Sequence, residues 1–417
     1  MSTRILTHIQ QLVNLRTDVG PLYGKQMAEL PCLENAWLLI EGDEIAAFGK
    51  METLKSELTH IPEEQIDCSG KLVLPAWCDS HTHIVFAGSR ENEFVDKIRG
   101  LNYAQVNASG GGILNTVKKI NDTSEAELFR ISWERLQEVA SQGTGAIEIK
   151  SGYGLSVEGE LKMLRVIRQL KEKSPLQIRS TFLGAHTYPM IYREDHAAYI
   201  KMLKEEMLPI IAREKLADYI DVFCEQGFFS AEEMETILRA GLQYGLQPKV
   251  HVNQLNNIGG ISTALKMNAI SIDHLENMPI EEIERIKHSG WKGFCTLLPT
   301  AAFFLRMPFP PARELLEAGA ALALASDYNP GSSPSGNMNI VIAMACIQMK
   351  LLPEEALNAA TINGAFAMGI GHHLGSITAG KLANLIITKR IPSLASLAYR
   401  FGTNNIDKVI LRGQFVE

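Results

Sequence analysis

Close cysteine pairs are missing from this chain. Its six cysteines, Cys32, Cys68, Cys78, Cys224, Cys295 and Cys346, are scattered, and no Cys-x-x-Cys occurs. That argues against a disulfide framework and fits reduced thiols in a cytoplasmic protein. A surplus of one charge is also missing. A net charge of −7 over 417 residues gives no electrostatic argument for nucleic acid or for an anionic membrane. Long apolar runs are absent too, each being broken by charge or glycine before the ~20 residues that span a bilayer. Residues 1–8 lack the unbroken apolar core of a signal peptide. No internal repeat or low-complexity segment stands out. The expectation is a soluble cytoplasmic protein that handles a small molecule, with neither nucleic acid nor membrane as partner.

A chain this long exceeds the usual single-core limit, so one large and one smaller domain are expected. Residues up to Leu74 read as short strands, with a hairpin over residues 36–49 turning at Gly42-Asp43. Residues 384–388 and 408–413 repeat that style at the other end. The two ends together predict a small composite β-sandwich domain, 1–74 plus 375–417. Residues 75–374 form the larger domain.

That middle alternates strands and helices. After the segment ending at His83 comes a stretch from Ile84 to about Asp122 with little periodicity, expected to be a long functional loop. Strands then follow at Ala146–Lys150, Ile178–Leu183, Tyr219–Cys224, Pro248–His251, Ala269–Asp273, Gly293–Leu298 and Ala321–Ser326. Helices are signalled between them, among them Val157–Lys173 and one opened by the capping box Ser230-x-x-Glu233. Eight near-continuous apolar strands separated by helices predict an α/β fold, a closed (β/α)8 TIM-type barrel with its chemistry at the C-terminal strand ends. A doubly wound open sheet would give no reason for histidine and aspartate at so many of those ends.

The chain is organised around Leu74-Pro75-Ala76-Trp77-Cys78-Asp79-Ser80-His81-Thr82-His83. On a strand, residues i and i+2 share a face, so His81 and His83 can reach one point, which suits a metal ion. His251 ends the fifth strand, His274 the sixth and Asp327 the eighth. Taken singly, each has a bland alternative, His251 as a satisfied core histidine and Asp327 as a helix cap. In a barrel, however, these ends ring one axis, and imidazoles with a carboxylate suit zinc or ferrous iron.

This pattern resembles the amidohydrolase superfamily, which shares His-x-His on strand one, histidines on strands five and six, and aspartate on strand eight. Many members hold two metals through a carboxylated lysine after strand four. Here that strand ends in Cys224-Glu225, so the resemblance implies one divalent metal ion, zinc or iron(II), held by His81, His83, His251 and Asp327. Residues 81–94, 110–113, 148–155 and 326–332 resemble the branch that opens an imidazolone ring in histidine breakdown. The implied reaction is hydrolysis of the cyclic amide of 4-imidazolone-5-propanoate to N-formimidoyl-L-glutamate.

The resemblance also implies roles. The metal lowers the pKa of a water toward neutrality. Asp327 takes the water proton and passes it to the departing ring nitrogen, and His274 orients the water or stabilises the oxyanion. Arg90 binds the propionate, with Tyr103 and Tyr153 as phenolic donors. His186 and Gln254 hold ring nitrogens, and Asn329, Gly331 and Ser332 hold the product end. Gln254 stands where some family members carry Glu. An amide does not titrate near neutrality, so its role is hydrogen bonding. Lys150 and Glu225 lie at strand ends without an assigned role. The competing readings are a deaminase of the same superfamily, for which a carboxylate clamp has little use, and a catalytically silent binding or assembly protein, which would have lost ligands. A homodimer is a family-level expectation only.

Overall fold

The computed structural model describes residues 3–17, 19–100 and 112–416. Eight parallel strands form the sheet of the barrel: β1 (Trp77–Thr82), β2 (Thr144–Lys150), β3 (Gln177–Ala185), β4 (Tyr219–Cys224), β5 (Gln247–Val252), β6 (Ser271–His274), β7 (Phe294–Leu297) and β8 (Ala321–Leu324). Each strand pairs with the next in chain order. The ring closes just past β8, at the end that carries the histidines. The Asp327 amide donates to the His81 carbonyl at 3.0 Å, and the His83 amide donates to Tyr328 at 2.9 Å. Asp79 reinforces this seam by accepting from the Ser326 amide and hydroxyl, at 3.0 and 2.5 Å.

Helices cover the outside of the barrel because their apolar stripes have nowhere else to be buried. The helix Val157–Lys173 starts at Ser156, whose side chain accepts from the Gly159 amide. Ser230 and Glu233 form the reciprocal capping box at Ala231–Gln243. The helical stretch from His196 to Glu214 passes through a π-helical turn, Leu203–Met207, just before Pro209. Proline lacks the N–H that a regular turn would use there.

A second, mixed sheet also has eight strands, drawn from both ends of the chain. Lys71–Pro75 lies inside it, parallel to Thr3–Val13 and antiparallel to Leu385–Arg390. Its core includes Leu6, Ile9, Leu38, Val73, Leu385 and Ile410. Only Ala76 separates this strand from β1, so the composite sheet anchors the strand that carries the His-x-His pair. The hairpin does turn at Gly42-Asp43, between Cys32–Glu41 and Glu44–Lys50.

One expectation needs correction. The stretch after His83 is not a plain loop, because it contains helices Glu91–Ile98 and Ile113–Asp122. Ile113, Val117 and Ile120 stand at i, i+4 and i+7, a helical period that the neighbouring glycine run obscures. Tyr103 lies outside the described residues.

Candidate metal centre

The barrel brings five sequence-distant side chains to one point. His81, His83, His251, His274 and Asp327 are each at most 2% exposed. His81 points inward by strand alternation, two residues after Asp79. His274 and Asp327 are aimed differently. Their φ values are +90° and +53°, a left-handed backbone that is costly for a non-glycine residue and tends to cluster at functional sites.

His81 Nε2 lies 3.3 Å from His83 Nε2, and Asp327 Oδ1 lies 3.6 Å from each. With metal–ligand bonds of about 2.1 Å, the edge of a tetrahedron is about 3.4 Å, so these separations fit ligands of one ion. Ligand atoms of His81, His251 and His274 likewise fall within 4.8 Å of one another. The outer nitrogens of two histidines are engaged: His81 Nδ1 with Asp273 at 2.6 Å and His251 Nδ1 with Asp221 at 3.0 Å. Donation there leaves each Nε2 as a lone pair. His251 Nε2 is buried without a hydrogen-bond partner, which a metal ion would supply. The donor set therefore fits a divalent metal.

The electrostatics divide the cluster into two kinds of group. Burial, aided by Lys150 and the other histidines, holds His81 well below the usual imidazole range. Burial and His186 do the same for His83. Burial brings His251 down to about 4 against the opposing pull of Asp221. Each is thereby favoured in the neutral form that ligation requires. His274 differs: burial disfavours its charge, but Glu276 at 3.3 Å, together with Asp327 and Asp273, raises it to about 9. Burial lifts Asp327 to about 6, against the attraction of His274.

Above this cluster opens a cavity of about 640 Å³ lined by His83, Arg90, Tyr153, His186, Gln254 and Ser332, among others. Arg90 gives its Nε and Nη2 edge to Glu93, at 2.8 and 2.6 Å. Its Nη1 rests on Gly331, where a Cβ would lie only 2.3 Å away. Glu93 and Gly331 thus set the orientation of the guanidinium at the cavity wall. His186 Nδ1 bonds the Gly152 carbonyl at 3.0 Å, turning Nε2 into an acceptor. Burial keeps the Tyr153 phenol protonated by raising its pKa. Asn329 is spent on its own loop, accepting from the Gly331 and Ser332 amides at 2.7 and 2.8 Å. Ser332 Oγ reaches Asp327 Oδ2 at 3.2 Å.

Two residues without an assigned role now have surroundings. Glu225 accepts from the amides of Gln254, Leu255 and Asn256, at 2.6, 3.2 and 2.8 Å, and so holds the loop that presents Gln254. Lys150 is an internal ion-pair partner, 2.6 Å from Glu148 and 2.8 Å from Asp221. Sequence reasoning missed Asp79, Asp221, Asp273, Glu276 and Glu93. A signal existed for one of them: Asp221 is a carboxylate inside an otherwise apolar strand, where an unpaired charge is prohibitively costly.

Comparison with known proteins agrees with this geometry. The profile of the amidohydrolase family matches residues 72–416. The chain is 55% identical to a protein named imidazolonepropionase from Flavobacterium johnsoniae, over 99% of both chains. It is 52% identical to one of the same name from Christiangramia forsetii, over 99% of this chain and 100% of that protein. Among solved structures, a variant of atrazine chlorohydrolase from Arthrobacter aurescens TC1, complexed with zinc and atraton, superposes with a TM-score of 0.72. That pair shares 15% identity, and the match covers 99% of this chain and 94% of the other.

Proposed function

This chain belongs to the amidohydrolase family, and we propose that it catalyses the ring-opening hydrolysis for which its curated relatives are named. The substrate is 4-imidazolone-5-propanoate and the product N-formimidoyl-L-glutamate. The observation that carries this reading is a buried cluster, in which His81 groups with His83 and Asp327 and also with His251 and His274, beneath a cavity lined in part by Arg90. We assign one divalent ion, zinc or iron(II), to His81, His83, His251 and Asp327. The bound ion supplies Lewis acidity, lowering the pKa of water and polarising the ring carbonyl.

The chain's own groups do the rest. Arg90 binds the propionate end-on and fixes the ring over the floor of the cavity. His186 accepts a ring N–H at Nε2, and the Gln254 amide bonds the other ring nitrogen. Asp327 takes the proton of the attacking water and delivers it to the ring nitrogen as the C–N bond breaks. His274, kept charged by Glu276, donates to the oxygen that gains negative charge. Tyr153 adds a phenolic donor. Ser332 orients Asp327, and Asn329 and Gly331 shape the loop around the product end. The same reading divides the chain into a composite domain of 1–74 plus 375–417 and a barrel of 75–374, supported by how the strands partition between two sheets. Among the described residues no helix is long and apolar enough to cross a membrane.

The test is turnover of 4-imidazolone-5-propanoate by metal-loaded protein, with N-formimidoyl-L-glutamate identified as product. Ammonia release from purines or pyrimidines, without opening of the imidazolone, would replace this reading by a deaminase. Bound metal with no turnover of any cyclic amide would leave a silent binding protein.

A further inference from the structure

Beneath the metal cluster lies a layer of charge that the reaction does not use. Glu148 and Lys150 come from β2, Asp221 from β4, Lys249 from β5 and Asp273 from β6, and all five are 0% exposed. Lys150 Nζ lies 2.6 Å from Glu148, 2.8 Å from Asp221 and 3.6 Å from Asp273. Lys249 pairs with the other oxygen of Glu148. Thr181 donates to Glu148 at 2.7 Å. Asp221 is the acid that holds His251, and Asp273 the acid that holds His81. One ammonium therefore touches both carboxylates that orient metal-ligating histidines. Lys249 is equally buried but touches neither of them.

We propose that Lys150 is a positioning residue for the metal centre: it fixes Asp221 and Asp273 together, and through them the tautomer and aim of His251 and His81. The charge balance agrees. Three carboxylates against two ammoniums leave this layer with one negative charge, and Asp327 adds another, which together match a divalent ion. Losing Lys150 leaves two buried acids without their common cation, so at least one must move or take a proton. Its histidine then loses its fixed acceptor, and changes in such outer partners typically cost about 10–100-fold in metal affinity.

The inference rests on the metal reading given above, and the test separates the two. Zinc affinity is measured by chelator competition, and the visible spectrum is recorded on cobalt(II)-substituted protein, for wild type and three variants. Lys150→Met should bind zinc about 10–100-fold more weakly and shift the cobalt spectrum. Lys249→Met is the control for burial alone. It should lower Tm comparably yet change affinity by less than about threefold and leave the cobalt spectrum in place. Lys150→Met combined with Glu148→Gln keeps the net charge of the layer and covers the case in which the single variant does not fold. It too should lose zinc affinity. Wild-type affinity in either Lys150 variant, or equal losses in Lys150→Met and Lys249→Met, would overturn the proposal. Failure of both Lys150 variants to fold would assign Lys150 to the fold alone, also overturning it. A wild-type protein that binds no metal would refute the metal reading instead.

Discussion

A single methyl group at Gly331 offers a sharp test of how this site reads its substrate. The φ of Gly331 is not positive, so alanine fits the backbone. Its Cβ would, however, lie 2.3 Å from Arg90 Nη1 and 2.9 Å from Cζ. Ordinary contacts are about 3.5 Å or more, so the guanidinium must retreat by roughly 1 Å. Free rotation does not absorb this, because Glu93 pins Nε and Nη2 at 2.8 and 2.6 Å. Glu93 is itself tied to the Gly112 amide at 3.0 Å. A charged hydrogen bond contributes about 1.5–3 kcal/mol, and a misplacement of about 1 Å can cost as much as 100-fold. Gly331→Ala should therefore lower kcat/KM by about 10–100-fold, mainly through KM, because the lost contact holds the substrate and transition state alike. Arg90→Ala should lose about 10–1000-fold, and Arg90→Lys should recover only part, lacking the planar fork. The double variant should be no worse than Arg90→Ala, since both changes act through one contact. The assay is steady-state turnover of the acid substrate and of its neutral propionamide analogue, with metal content measured in parallel. Wild-type discrimination between acid and amide in Gly331→Ala would refute the reasoning, as would losses that add in the double variant.

Other expectations follow from the same geometry. Alanine at His81, His83, His251 or Asp327 should remove most bound metal and nearly all turnover, whereas His274→Ala should keep metal and lose rate. Elemental analysis separates these cases, and a stoichiometry near two per chain would sink the single-ion assignment. The rate should rise with pH through neutrality and fall again as His274, raised to about 9 by Glu276, Asp327 and Asp273, loses its proton. Glu276→Gln removes the foremost of the groups that raise it, so the falling limb should move to lower pH, and an unmoved limb would free His274 from that role. Burial raises Asp79 to about 7, above the ~3.9 of an unfolded chain. The folded state thus binds more protons between those values, and this group's contribution to stability is lost as pH rises from about 4 to about 7. Asp79→Asn still accepts from the Ser326 amide, so metal-free variant protein should show a smaller fall in Tm between pH 4 and 7 than wild type does.

How much of this was legible in the sequence depended on whether the controlling interactions were local. Periodicity and capping are set by neighbours a few residues apart. Tyr219–Cys224 and Val157–Lys173 accordingly match the expected bounds, and Ser230 and Glu233 do form their capping box. His-x-His on a strand is equally local, and alternation alone aims His81 inward. Even the convergence of His251, His274 and Asp327 needed only the count of eight strand–helix units, because a closed barrel places every strand end on one ring. Where a local signal was interrupted, as beside the glycine run before Ile113, a helix was overlooked. The tertiary structure decided what the barrel packs below and beside that ring. Asp273 holds His81 across 192 residues of sequence, and Asp221 holds His251 across 30. Arg90 owes its orientation jointly to Glu93 three residues away and to Gly331 on the far side of the ring. Lys150 is a buried counter-ion only because β2, β4 and β6 aim their inward residues into the same layer. No pattern along the chain encodes those distances, since they arise from strand stagger and the closure of the ring. The sequence by itself determined which side chains converge on one point, and only the packed barrel decided which acids pair with His81 and His251 and that one lysine lies beside both of those acids.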